Sequence, residues 1–332
     1  MGGNLPGSAE RGSVSGLRWA LVGPGRVGSS MAAWLSAAGA ELTAVSGRHP
    51  PGRELPGSPP WVPLRRMGSQ DLDLLLIAVS DSALGSVARE LACRPQASVA
   101  LHVSGHFDAR ILGPLARDAG GGREGSSIGS IHPLRAFPLP SKDPGDARGV
   151  AFAVDGQPEA RSLATGLVEA LGGEAFELDG DRRRIYHLAA SLAAGGVMTV
   201  LAAVEELMAA AELPPSLLPA YLKLTRGAVD AVDAVDAVGS LDGPAGDRHR
   251  AGTRDGAEAA SRPVAAAITG PAARGDHAML KRQAEALRRV APQLSELFEI
   301  LSTETRRQAR RRVPSTAPEE IRKGSASEGP KR

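Results

Sequence analysis

The sequence predicts an α/β chain in which a doubly wound, mainly parallel sheet is followed by an all-helical domain. Three observations predict it. Short apolar runs alternate with helical stretches from Leu17 to Leu178, the pattern that βαβ units produce. A glycine-rich turn joins the opening strand to its helix, and strand signals stop beyond Asp181. The length of 332 residues suits two domains.

Leu17–Val22 reads as the first strand, and Arg26–Ala38 as a helix closed by Gly39. Glu41–Ser46 is a second strand. Beyond the Pro-rich stretch 50–63, Leu74–Val79 is a near-continuous apolar run, as a strand covered on both faces requires. Val99–Val103 and Ile128–Ile131 are further short strands. Val150–Val154 and Ala175–Leu178 flank a helix whose apolar face is Leu163, Leu167, Val168 and Leu171. This unit extends the same sheet and places the domain boundary near Gly180, giving domains of 17–179 and 180–304.

The helical part begins with a long Ala-rich helix, Tyr186–Ala211, stopped by Pro214-Pro215. Ser191, Gly195, Gly196 and Thr199 interrupt its apolar centre, and His187 and Glu205-Glu206 flank it. Burial within the chain or a dimer is therefore expected rather than a membrane span. Ser216 caps a helix running to about Val238. Its Asp230, Asp233 and Asp236 drift around the surface and read as a solvated face, not a metal site. Residues 239–262 read as a mobile polar insertion. His277–Val290 and Gln293–Leu301 are the last helices, with Leu287, Val290, Leu294, Leu297 and Leu301 spaced for packing against another helix. A polar leader, 1–16, and a basic tail, 305–332, are expected to be disordered.

Composition narrows the function classes. The 39 Lys+Arg against 37 Asp+Glu leave a net charge of +2, which argues against a dedicated nucleic-acid binder. A single cysteine, Cys93, excludes an internal disulfide framework and a Cys-rich metal centre. The first residues lack an apolar core, so no secretory signal is expected and a cytoplasmic location is the default. The single asparagine, Asn4, lies in the leader, so no mechanism in the folded part can use a positioned Asn.

The strongest chemical signal is Gly23-Pro24-Gly25-Arg26-Val27-Gly28. G-x-G-x-x-G alone is weak, but here it follows a strand and opens a helix, the context of a Rossmann dinucleotide loop. Gly23 serves the tight turn, Gly25 lets the backbone approach a pyrophosphate, and Gly28 lets helix and strand pack closely. The phosphates would rest on free N–H groups at the helix start, with Arg26 and Val27 beside them. The second strand ends Val45-Ser46-Gly47-Arg48-His49 and carries no acid for a ribose 2′-OH. Ser46 and Arg48 can instead donate to a 2′-phosphate, so NADP is expected over NAD.

Ala78-Val79-Ser80-Asp81-Ser82 stands at the carboxyl end of an inner strand, where ligands of open α/β sheets bind. Val79 and Ser80 are candidates for backbone contact with the cofactor, while Asp81 or Ser82 equally caps the next helix. In His102-Val103-Ser104-Gly105-His106, Ser104 and Gly105 are placed beside the nicotinamide, and His102 is read as structural. The two histidines leave a strand rather than share a helix face, so no metal site is expected. In Gly129-Ser130-Ile131-His132-Pro133-Leu134, a His presented just after a strand, with its exit fixed by Pro, suits proton transfer near neutral pH. His187, beside Tyr186 and one turn from Ser191, is the second candidate. A structural role is the competing reading for each.

These segments resemble a bacterial two-domain family provisionally assigned as oxidoreductases, a Rossmann-like domain followed by a C-terminal domain of unknown function. The carriers are GPGRVG, the AVSD segment, HVSG, GSIHPL, the start of the DRRRIYHLAA helix, and Thr269-Gly270-Pro271-Ala272-Ala273-Arg274-Gly275-Asp276. The family is similar to the wider 6-phosphogluconate-dehydrogenase-like group, which includes deazaflavin-dependent NADP reductases, prephenate dehydrogenases and pyrroline-carboxylate reductases. The resemblance implies a helical domain that dimerises, with substrate between the domains. It also implies a catalytic His132, since His132-Pro133 is similar to the His-Pro segment of prephenate dehydrogenases. The chain departs from the family where members often carry Ser-Asn, having Ala194-Gly195 instead, and in the long polar insertion. Ser191 and Arg274 are candidate substrate contacts, Arg274 through a carboxylate; Asp276 reads better as a helix cap.

The sequence thus predicts an NADP-dependent oxidoreductase. Hydride passes between the nicotinamide and a small carbonyl, imine or hydroxy acid, with His132 or His187 as general acid/base. The rival is a catalytically silent NADP sensor or scaffold, because fold alone does not carry function.

Overall fold

A computed structural model describes residues 14–50, 54–67, 72–92, 97–116, 125–239 and 263–310. The chain divides into two compact units, Met1–Gly196 and Val197–Arg332. The boundary falls later than the sequence places it, because the first part of the long helix belongs with the sheet.

Among the described residues of the first unit, seven strands form one sheet: β1 (Arg18–Val22), β2 (Glu41–Ser46), β3 (Leu74–Ile77), β4 (Val99–His102), β5 (Ser127–Pro133), β6 (Ala151–Gly156) and β7 (Glu174–Glu177). Their order is β2-β1-β3-β4-β5-β6-β7. The first five are parallel, β6 runs antiparallel to β5, and β7 returns parallel to β6. Helices α1 (Arg26–Ala37), α2 (Asp81–Leu91) and α3 (Pro158–Ala170) cover the sheet. Every residue of β3 and β4 is buried, which explains why Leu74–Ile77 reads as an unbroken apolar run.

Two apolar cores lie on the two faces. Trp19, Leu21, Leu74, Leu76 and Leu101 pack with Trp34 of α1 and Leu167 and Val168 of α3. Ala20, Leu75, Ile77 and Ala100 pack with Leu84 and Leu91 of α2. The alternation along each strand is the period-two consequence of strand geometry. The winding is incomplete, since the described crossover from β2 to β3 carries only a 3₁₀ turn, Leu64–Arg66. The turn of β6 back along β5 was not legible either. It depends on a close crossing at two glycines: Gly156 has φ +138°, and a Cβ on Gly129 would lie 2.8 Å from the Asp155 carbonyl.

The long helix starts earlier than expected, as α4 (Gly180–Ser191), and passes through a π turn, Leu192–Gly196, at the end of the first unit. The second unit contains α5 (Val197–Ala210), α6 (Leu218–Gly239), α7 (Pro263–Ala267), α8 (Pro271–Arg274), α9 (His277–Val290) and α10 (Ser295–Ala309). A 3₁₀ turn, Pro215–Leu217, stands where a Ser216 cap was expected. Asp276 does cap α9, its carboxylate accepting from the Met279 N–H at 3.0 Å. α10 runs to Ala309, so the first residues of the expected disordered tail are helical. Residues 1–13, 240–262 and 311–332 lie outside the described residues; Val14, inside the expected leader, is buried. Asp230 and Asp233 are exposed, the Asp236 side chain lies outside the description, and no metal-binding cluster occurs among the described residues.

The stretch Gly180–Ala210 is long and apolar enough to cross a membrane, and none of its apolar window is buried. Of the two covers expected, the chain or a dimer, the described residues do not supply the first.

Candidate active site

The turn after β1 is built by backbone. Gly23 has φ +95°, and a Cβ there would lie 2.6 Å from the Ala78 carbonyl oxygen. A Cβ on Gly28 would press on the Gly23 carbonyl and stand 3.1 Å from the Ala78 Cβ. Both glycines therefore serve close packing of the β1 turn against the β3 end. Gly25 differs, having no atom within 4 Å of the place its Cβ would take. It is the N-cap of α1, which receives no side-chain cap and has no acid in its first turn. Its first N–H groups are thus left for an anion.

Gly23, Gly25, Arg48, Val79 and Ser80 line a cavity of about 700 Å³ between the ends of β1, β2 and β3. The strand order reverses between β1 and β3, so this is the crevice where doubly wound sheets take their ligands. Volume, glycine cradle and uncapped helix start fit a dinucleotide. The remaining cofactor candidates lie off its wall. Arg26 is exposed at the start of α1, Val27 packs on the core, and Gly28 is buried in the turn. Ser46 is fully buried; its carbonyl accepts from the Gly23 N–H at 2.8 Å while its hydroxyl has no partner. Ser46 is therefore not placed for the phosphate contact expected of it, since its hydroxyl points into the packed interior, whereas Arg48 stands on the cavity wall. His49, Ser86 and Glu90 also line the cavity, and no sequence signal marked them. Ser80 is the N-cap of α2 without a side-chain cap bond, and Asp81 is the first helical residue rather than the cap.

A second cavity of about 550 Å³ is lined by His132, Arg135, Tyr186, His187, Ser191 and several alanines of α4 and the π turn. His132 lies within β5 rather than after it, paired with Ala153 of β6. Its Nδ1 is 2.9 Å from the Tyr186 hydroxyl, and the two rings meet edge-on. The His187 ring stands 5.8 Å away, nearly perpendicular, and its buried Nδ1 has no partner. Ser191 donates back to the His187 carbonyl at 2.9 Å.

The cavity is electrically quiet. Burial, reinforced by Arg183, His187 and His102, pushes the His132 imidazole down to about 3, so it is neutral at pH 7. Burial raises the Tyr186 phenol to about 12. The Arg135 guanidinium is 2.8 Å from the Asp146 carboxylate and stacks over Trp34. A neutral imidazole hydrogen-bonded to a phenol can support the phenolate that forms when the phenol gives up its proton.

Ser104 is buried, and its hydroxyl accepts from the N–H groups of His106 and Phe107 at 3.1 Å each. It shapes the turn rather than facing either cavity. His102 is also buried, with Nδ1 accepting from the Ser104 N–H and Nε2 donating to the Asp108 carbonyl at 3.1 Å. Desolvation lowers it to about 4, in keeping with a structural role. Arg274 ends α8 in the second unit. Gly105, expected beside the nicotinamide, instead meets the edges of the His132 and His187 rings. Tyr186 and Arg183 were not singled out for chemistry by the sequence; the adjacent Tyr186-His187 pair was the available signal.

Residues 8–122 match a Rossmann-like domain, and residues 150–253 and 251–305 match DUF2520, a domain of unknown function. The chain thus carries a Rossmann-like match followed by a DUF2520 match that begins at the β6 edge of the sheet. No curated protein matches it in sequence. Its fold is similar to that of a Bacteroides fragilis protein provisionally named an NADP oxidoreductase, at 16% identity and TM-score 0.65, covering 89% of this chain and 100% of that one. It is also similar to a Thermotoga maritima protein, at 16% identity and TM-score 0.60, covering 88% and 98%. A reductive aminase of Aspergillus terreus in complex with NADPH and ethyl levulinate shares the fold at 16% identity and TM-score 0.53, covering 89% and 94%. At these identities the structural likeness shows the fold alone.

Proposed function

We propose that the protein is an NADP-dependent oxidoreductase acting on a small carbonyl, imine or hydroxy acid. The observation that carries the reading is the uncapped glycine-loop helix start opening on a cavity at the strand-order reversal. Arg48 on the cavity wall and the lack of an acid at the end of β2 favour a 2′-phosphate over a free ribose hydroxyl. Similar folds include a protein named for NADP and an enzyme in complex with NADPH, which agrees with this choice.

The nicotinamide supplies the hydride, and the protein must supply the proton and the orientation. Tyr186 is assigned the proton and His132 its support: in reduction, the Tyr186 hydroxyl gives its proton to the oxygen or nitrogen that receives the electron pair, the phenolate left behind accepts a hydrogen bond from the His132 Nδ1–H, and water reprotonates it after product leaves. His187 borders the same space and is the second acid/base candidate, with Ser191 as a substrate contact. The exposed apolar surface of Gly180–Ala210 is assigned to a second copy of the chain, with a cytoplasmic location.

Calorimetric titration with NADPH and NADH tests the cofactor, and equal or tighter NADH binding ends the NADP assignment. NADPH oxidation over a panel of oxo acids, ketones and imines tests turnover. Tight NADPH binding with no turnover on any of them would favour the sensor reading instead. Sedimentation analysis tests the dimer.

A further inference from the structure

Arg183 is an unusual residue to find in this unit. It lies on the first turn of α4, yet it is fully buried, while its neighbours Arg182 and Arg184 are exposed. Its Nη2 donates to the Ser104 carbonyl at 2.7 Å, and its Nε and Nη1 have no partner among the described residues. No carboxylate lies within ion-pair distance of it among the described residues; Asp155 and Asp108 act on it only from farther away. Burying a cation without a direct counter-ion costs several kcal/mol, so a chain gains by retaining one only where it performs a task.

The contacts of the Ser104–Gly105 turn show the task. A Cβ on Gly105 would lie 2.7 Å from His132 Nε2 and would collide with His187 Nδ1, so both imidazole edges converge on this backbone. The Ser104 N–H is taken by His102, and the Ser104 hydroxyl by the two N–H groups that follow. Arg183 takes the remaining group, the carbonyl. We infer that Arg183 is a positioning residue, its guanidinium clamping the Ser104–Gly105 turn as the plate against which the His132 and His187 rings are set. The inference rests on the proposed role of His132 and adds a residue that touches neither cavity.

Charge gives the clamp a second effect. His132 is faced by Tyr186, His187 and Arg183 from α4, by His102 from β4, and by the His106 turn, with no carboxylate among these neighbours. The buried cation opposes a second positive charge on His132, and Arg183 is the largest such influence after burial itself. Burial is the first cause of the neutral imidazole, and Arg183 reinforces it.

The test uses the full chain, with the His132 ring signal assigned through His132→Gln and followed by NMR. In the wild type the ring stays neutral down to about pH 5. In Arg183→Met, protonation is expected to move up by about one unit or more. In Arg183→Lys, the cation stays but the fork is lost, so the ring remains neutral while the hydride-transfer rate falls about tenfold at unchanged NADPH affinity. If Arg183→Met does not fold, Arg183→Lys carries the test through its rate at constant affinity. Wild-type titration and rate in both variants would overturn the inference. Failure of the wild type to bind NADPH would instead overturn the proposed function, leaving the His132 titration to judge the clamp.

Discussion

The two cavities of the first unit are built in opposite ways. The glycine-loop cleft is shaped largely by main chain: a tight turn, a helix start and the ends of adjacent parallel strands, with side chains of β2 and α2 at its rim. The histidine cavity is made of side chains brought from β5 and α4 onto a turn after β4, with Tyr186 and His132 separated by 54 positions. A main-chain site tolerates changes of side chain but not of space. A side-chain site tolerates modest changes of space but not of proton chemistry.

The sharpest way to break that contrast is His132→Gln. It is expected to lower the turnover number by about 10²-fold or more while leaving the NADPH dissociation constant unchanged, as calorimetry on the same sample would show. Gly25→Ala should do the reverse. Its Cβ meets no protein atom, so melting temperature should hold while NADPH affinity drops about tenfold or more. A fall in melting temperature with intact affinity would place Gly25 in the packing group with Gly23 and Gly28.

Arg48→Gln should come next, reducing the preference for NADPH over NADH by about tenfold, measured as the ratio of the two affinities. The smallest effect concerns stability and pH. His102 and His132 are held below the ordinary histidine value of 6.5, so the unfolded chain binds more protons than the folded one beneath that value. Stability should be flat above about pH 7 and fall as pH drops from about 6.5 towards 4, by up to about 1.4 kcal/mol per pH unit for His102. Urea denaturation at a series of pH values would detect it, and His102→Gln should flatten the acid limb if the variant folds.

Legibility follows the same division. The sheet, the glycine loop and the strand ends facing the ligand are readable because each depends on residues close together: an apolar run for β3, a strand-turn-helix order for Gly23–Gly28, a helix stop at Gly39. Ser46 misled because its position, not its chemistry, decides; the last residue of a covered strand turns its hydroxyl inward. Tyr186 and Arg183 stayed hidden because their partners are far away in sequence, and in a run of three arginines nothing local says which one the fold swallows. The long helix follows the same rule: apolar content signals a need for cover, by the chain or by a second copy, without saying which supplies it.

One consequence of the sheet lies in β5. Its parallel neighbour pairs only with Ser127–Ser130, so Ile131, His132 and Pro133 overhang like a cantilever. The reversed strand beside them, Phe152–Val154, props the overhang from the other edge. Were β6 parallel, the propping register would be lost and the imidazole would hang from a loose loop. The backward strand is what turns a histidine at the rim of the sheet into a fixed instrument.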